Sequence, residues 1–185
     1  MSHYNTTPDN LPIPKDDGAA EHLKGLSLPS LALMSTQGTS IDVSQLTGWV
    51  VIYGYPMTGV PGVALPPGWD QIPGARGCTP QSNAYKQAHP ALKALGAQVF
   101  GLSTQDTDYQ QEMVERLQLP FAVLSDNHLQ FQQHLQLPTF VADGKILLKR
   151  LTLVAQDSVI QAVHYPIFPS DADAAWVLNY LQTVT

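Results

Sequence analysis

The segment Trp49-Val50-Val51-Ile52-Tyr53-Gly54-Tyr55, closed by Pro56, is a compact apolar run of β-branched and aromatic residues interrupted only by Gly54. A run without polar alternation has no face to give to water, so it specifies a buried central strand. Such a strand needs a sheet around it and other elements packed over it. The flanking sequence supplies both. Residues 28–42 alternate about Gln37-Gly38, which predicts a hairpin bearing Leu31, Leu33, Ile41 and Val43. The spacing of Ala84, Ala88, Leu92 and Leu95 predicts a helix after Cys78, kinked at Pro90. Residues 98–103 predict a second strand. Thr107-Asp108-Tyr109-Gln110 has capping-box form and opens a helix carrying Tyr109, Met113, Val114 and Leu117. Residues 119–124 predict a short strand and 127–135 a short helix. Residues 145–154 and 159–165 predict two strands joined at Gln156-Asp157-Ser158. Ser170-Asp171-Ala172-Asp173 is placed to cap a last helix that turns Ala174, Val177, Leu178 and Leu181 inward.

Strands and helices alternate through the middle, and two adjacent strands precede the last helix. The expected fold class is therefore α/β: a sandwich with a central mixed β-sheet flanked by helices and an N-terminal β-hairpin. Residues 1–22, polar and rich in proline, read as a flexible arm, and residues 23–185 as a single domain.

Composition narrows the function by exclusion. The net charge is -6, and the nine lysines and arginines do not cluster. That leaves no basic patch for nucleic acid or an anionic membrane. No apolar stretch approaches the roughly 20 residues a membrane span needs. Among the six histidines, His128 and His134 stand too far apart to share a helix face, and no metal site is expected. A single cysteine excludes an internal disulfide, and the first 17 residues lack a basic segment followed by an apolar one. Together these read as a cytoplasmic protein without a signal peptide.

That cysteine sits in Pro73-Gly74-Ala75-Arg76-Gly77-Cys78-Thr79-Pro80-Gln81. Thr79 is suited to cap a helix that Pro80 starts, which places Cys78 at the positive end of a helix dipole. Such a setting favours the thiolate, the nucleophilic form. A lone cysteine is also a small apolar residue often found in cores, and both readings stay open on the residues alone. A Cys–His pairing with His89 or His164 is open too, because such partners meet only in space. Residues 57–72, with Gly59, Pro61, Gly62, Pro66, Pro67, Gly68 and Trp69, form a connection of a length that is usually functional or disordered. It is expected either to wall the site or to run over the surface with Trp69 as its anchor.

Several segments resemble the peroxiredoxin family. Tyr55-Pro56 resembles the strand end entering that family's active-site loop. Gly77-Cys78-Thr79-Pro80-Gln81 resembles the loop of the peroxidatic cysteine, particularly in the Q-type branch. Gly101-Leu102-Ser103, Leu119-Pro120-Phe121 through Leu124-Ser125-Asp126, and Lys149-Arg150-Leu151-Thr152-Leu153-Val154 resemble later blocks, the last being the strand of the catalytic arginine. The blocks occur in family order from about residue 25 to 181.

The resemblance implies a thioredoxin-like fold and a thiol peroxidase without metal or organic cofactor. Cys78 would attack the peroxide, Arg150 would hold thiolate and substrate, Pro56 would shape the pocket, and Gly77 and Thr79 would border the substrate. On composition alone the favoured reading is that Lys149 and Arg150 face solvent on an edge strand, and only the family pattern selects Arg150 over Lys149 or Arg76; Arg76 could either stabilise the thiolate or lie in solvent.

Two departures matter. Ala75 stands where the family pattern Pro-x-x-x-Thr-x-x-Cys has threonine, and Thr58 is the candidate to supply the missing hydroxyl, though it also suits a plain turn residue. Asn83 stands where many Q-type members have a resolving cysteine. The implied chemistry is a one-cysteine cycle on hydrogen peroxide or organic hydroperoxides, completed by an external thiol (thioredoxin, glutaredoxin or a low-molecular-weight thiol), in a monomer or homodimer. The alternatives are a non-catalytic thioredoxin-fold binding module and a peroxide sensor.

Overall fold

Strand β3 (Trp49–Gly54) is buried along its whole length. The computed structural model describes residues 10–185. In it β3 pairs in parallel with β4 (Ala97–Ser103) on one side and antiparallel with β8 (Leu151–Gln156) on the other. Its residues alternate between two cores. Val50 and Ile52 join Leu23, Leu28, Phe100, Leu102, Phe131 and Leu135 on one face. Trp49, Val51, Tyr53 and Tyr55 join Tyr85, Leu92, Met113, Leu117, Val177 and Leu181 on the other. The run is apolar throughout because both faces are covered, each such side chain contributing about 1.5–3 kcal/mol by burial.

The remaining elements complete a seven-stranded mixed sheet in the order β2 (Ser40–Asp42), β1 (Ala32–Ser35), β5 (Val123–Ser125), β4, β3, β8, β9 (Val159–His164). β1 (Ala32–Ser35) and β2 (Ser40–Asp42) form the expected N-terminal hairpin, and Gly38 takes the left-handed conformation in its turn. α1 (Cys78–Ala94) carries the chain from β3 to β4, and α2 (Thr107–Leu117) carries it to β5 (Val123–Ser125). α3 (Gln130–Leu135) covers the other face. β9 (Val159–His164) pairs with β8, and α4 (Asp173–Val184) packs beside α1. The expected apolar faces of α1 and α4 point inward, with Leu92, Val177 and Leu181 fully buried.

Several local expectations are corrected. Residues 145–154 are two strands: β7 (Lys145–Leu148) pairs with β6 (Thr139–Ala142) in a separate hairpin, and the chain bends at Lys149-Arg150 before β8 begins. Asp143-Gly144, both left-handed, makes that hairpin's turn, a dipeptide signal present in the sequence. α2 is capped by Asp106, which accepts from the Tyr109 amide at 2.8 Å, and Gln110 turns inward to donate to Ser103 Oγ and the Leu124 carbonyl. The expected strand at 119–124 contracts to β5, and α3 starts later than expected, with Asp126 accepting from the Phe131 and Gln132 amides. No side chain caps α4. A short 3-10 turn (Ser170–Ala172) leads into it, and Asp173 is swung into the core instead. α1 runs on through Pro90 to Ala94.

The arm proposed at residues 1–22 lies outside the described residues up to residue 9. Beyond that, Ala20 is buried, Asp17 pairs with Lys149 at 2.6 Å and accepts from the Tyr165 hydroxyl, and His22 contacts the Leu135 carbonyl.

Candidate active site

α1 begins two residues earlier than the capping chemistry suggests. Cys78 is its first residue, preceded by Gly77 at φ 108 with no side-chain cap. Thr79 is therefore inside the first turn and buried, and does not cap it. Pro80 is the third helical residue, where its lack of an N–H still costs nothing. The expectation that Cys78 lies at a helix start holds; the cap responsible is the glycine backbone. The Cys78 and Thr79 amides fall among the donors that a helix start leaves without intrahelical acceptors.

Cys78 is 4% exposed. Its Sγ is 3.3 Å from Arg150 Nη2 and 3.7 Å from the Ala75 carbonyl. Arg150 is 3% exposed, so the solvent-facing alternative for it is excluded, and Lys149 is the member of that pair which turns outward to Asp17. Nη2 also lies 3.2, 3.3 and 3.1 Å from the carbonyls of Gly74, Ala75 and Arg76. Its two protons are thus shared among three carbonyls and a sulfur, all from the turn that presents Cys78. Nη1 donates to Gln81 Oε1. The Arg76 side chain pairs with Asp70 at 3.0 Å.

The long 57–72 connection folds back over the thiol. Met57, Trp69, Ala75, Ala142 and Leu147 form a third small core, with Trp69 against Phe140 of β6. Trp69 is therefore both the anchor and a wall, since Met57, Thr58, Gly59, Leu65 and Trp69 enclose Cys78 together with Ala75–Thr79. The space beside the thiol is about 20 Å³, room for roughly one water-sized group. Thr58 is buried, and its amide and hydroxyl both face Gln105 Oε1 at 3.1 and 3.4 Å. Pro56 is buried where β3 gives way to this connection. A larger cavity of about 270 Å³ shares Arg150 in its wall but not Cys78. No histidine lines the space around the thiol, which leaves the Cys–His alternative without support. Among the described residues no group of three or more His, Cys, Asp or Glu is placed to hold a metal ion.

Beneath α1 lies an aromatic floor. Tyr53 stacks on Tyr85 with centroids 4.3 Å apart, and its hydroxyl donates to Ser82. Burial pushes the phenols of Tyr53, Tyr55 and Tyr85 up, so they stay neutral and bring no negative charge to the sulfur. Tyr85, Gln81 and Thr152 converge on Asp173, a connection the sequence reading missed. The spacing Cys78, Gln81, Tyr85 on one helix face was the available signal.

The chain matches the Redoxin family over residues 23–178. It is 25% identical over 174 residues to the chloroplastic peroxiredoxin Q of Sedum lineare, covering 94% of this chain and 85% of that protein. Among solved structures, peroxidoxin BcpB of Mycobacterium tuberculosis superposes with a TM-score of 0.71 at 24% identity, over 89% of this chain and 99% of the other. The bacterioferritin comigratory protein of Xanthomonas campestris, described for its alkyl peroxide reduction activity, gives 0.67 at 18% identity over 94% and 97%. At these identities the structural likeness speaks for the fold, which is thioredoxin-like as expected.

Proposed function

From the premise that this chain belongs to the Redoxin family, we infer that it is a thiol peroxidase of the peroxiredoxin type, working with one cysteine. The observation that carries this reading is the pair Cys78 Sγ and Arg150 Nη2, 3.3 Å apart and both buried, with Cys78 at a helix start. A fixed guanidinium charge beside sulfur gives its anion a charge-assisted hydrogen bond in a water-poor setting.

In the proposed reaction the Cys78 thiolate attacks the terminal oxygen of a hydroperoxide. An S–O bond forms, the O–O bond breaks, and the alkoxide or hydroxide leaves and takes a proton. Sulfur is oxidised by two electrons as the peroxide is reduced. Arg150 and the Cys78 amide stabilise the charge developing on the departing oxygen. Gly77 and Thr79 border that position, and Pro56 fixes the start of the wall. The Thr58 hydroxyl stands in for the one that Ala75 lacks; its support is that Thr58 and Cys78 line the same small space. An external thiol then attacks the sulfenic acid, releasing water and leaving a mixed disulfide. A second thiol restores Cys78. With no other cysteine in the 185 residues, the chain cannot close a disulfide on itself.

The cavity favours a slender terminal –OOH, and the alkyl peroxide activity described for the Xanthomonas relative supports organic hydroperoxides as substrates beside hydrogen peroxide. The reductant is proposed to be thioredoxin, glutaredoxin or a small thiol. The proposed setting is a reducing compartment such as the cytoplasm, supported by the free thiol; the plant relatives are named chloroplastic.

The test is loss of the Cys78 thiol on adding hydrogen peroxide or an alkyl hydroperoxide, beside Cys78→Ser and Arg150→Lys. Oxidation orders of magnitude faster than a free thiol, absent in the serine variant and about a hundredfold or more slower in the lysine variant, is expected. Intact mass after one equivalent should rise by one oxygen or by a mixed adduct. Oxidation at a free thiol's rate would return the chain to the binding-module reading.

A further inference from the structure

We propose that Asp173 is a positioning residue for this site, holding Arg150 against Cys78 through Gln81. The proposal rests on reading Cys78 and Arg150 as the reacting pair. Asp173 is fully buried at the start of α4. One oxygen accepts from Gln81 Nε2 at 2.7 Å, Tyr85 OH at 2.9 Å and Thr152 Oγ1 at 2.7 Å. The other meets His164 Nδ1 at 2.8 Å, and the His164 ring stacks on Trp176. A carboxylate with four donors drawn from α1, β8 and β9 has one position available to it.

Gln81 transmits that position. An arginine only donates and a carboxylate only accepts, so a residue between them must offer an acceptor to one and a donor to the other. The Gln81 amide does so: Oε1 faces Arg150 Nη1 and Nε2 faces Asp173. The amide cannot flip without setting donor against donor and acceptor against acceptor. Arg150 enters from a bend, not from a strand, and the segment it clamps is a turn. The rigid reference for its guanidinium is therefore the Gln81–Asp173 link, anchored where α1, α4 and β8 meet. The other groups facing the sulfur are the neutral phenols of Tyr53 and Tyr55, and Arg76, which also lines the cavity but is paired with Asp70.

The experiment uses the full chain and two readouts: peroxide oxidation of Cys78, and its alkylation by iodoacetamide as a function of pH. Asp173→Asn is expected to lower the oxidation rate about ten- to a hundredfold and to move the alkylation profile to higher pH. Gln81→Glu alone sets two carboxylates against each other and should do the same. The exchange pair Asp173→Asn with Gln81→Glu restores one acceptor toward Arg150 and one donor behind it, and should recover most of the rate. Gln81→Met, which keeps the bulk and leaves Asp173 its other three donors, severs the link without removing the carboxylate and should match Asp173→Asn. Wild-type rate and profile in a folded Gln81→Met overturn the proposal, as does an exchange pair no better than its single variants. If the wild type itself reacts no faster than a free thiol, the peroxidase reading fails, yet the alkylation profiles still decide whether Asp173 acts on Cys78.

Discussion

Gly77 and Ser170 approach so closely that a Cβ at position 77 would lie 2.3 Å from Ser170 Oγ. Gly77 also sits at φ 108, a backbone conformation that side chains rarely adopt. The two facts act separately on Gly77→Ala: the backbone alone costs about 1–3 kcal/mol, and the collision adds to it. In a Ser170→Gly background the collision disappears and only the backbone cost remains. Denaturant titration of the four proteins in this cycle should show a smaller penalty for Gly77→Ala in that background. An identical penalty would mean that the approach to Ser170 is not felt.

Trp69→Ala should open the space over the thiol before it unfolds the sheet. Trp69 belongs to a small core separate from the two that cover the sheet. Removing a buried tryptophan costs about 3–5 kcal/mol, and here that cost falls first on the 57–72 segment. Cys78 should become markedly faster to alkylate at temperatures where circular dichroism is still native. Thiol protection unchanged from wild type would show that the segment holds without it.

The Thr58 hydroxyl is separable from the Thr58 methyl. Thr58→Ser keeps the group that faces Gln105 Oε1, and Thr58→Val keeps the shape. Peroxide oxidation is expected near wild type in the serine variant and about tenfold or more slower in the valine variant, the loss of one hydrogen bond at a reacting centre. Equal rates in the two would confine Thr58 to a turn role.

Lys149, then Tyr165, hold the Asp17 carboxyl well below the usual carboxylate range through hydrogen bonds. A depressed folded-state value means stability that is present above the ordinary value of 3.8 and lost as pH falls below it. Asp17 and Lys149 are both more than a third exposed, so the effect is small. The melting-temperature difference between wild type and Asp17→Asn should be constant near neutrality and close as pH drops below about 4. A difference that persists into acid would show that the pair is not what anchors this segment.

Much of this arrangement was legible because it depends on local pattern. The apolar run at β3, the apolar stripes of α1 and α4, and the glycine turn between β1 and β2 all stand out from spacing alone. What was not legible depends on where the chain returns. Lys145 to Val154 looks like one strand because its apolar content is continuous, and only the pairing of β7 with β6 breaks it at Lys149-Arg150. Cys78 was found because it is alone. Asp173 looked like a helix cap, the ordinary use of an aspartate beside a helix start, and its burial becomes visible only once Gln81, Tyr85, Thr152 and His164 surround it.

The space above Cys78 admits about one water-sized group. After the first oxidation the oxygen on sulfur takes up much of it. A second peroxide, on the way to the sulfinic acid, and the reducing thiol must both approach past the same wall, the 57–72 segment. Durability against excess oxidant and speed of recycling are therefore tied to one wall in opposite senses, and a variant with a looser wall is expected to turn over faster and wear out sooner.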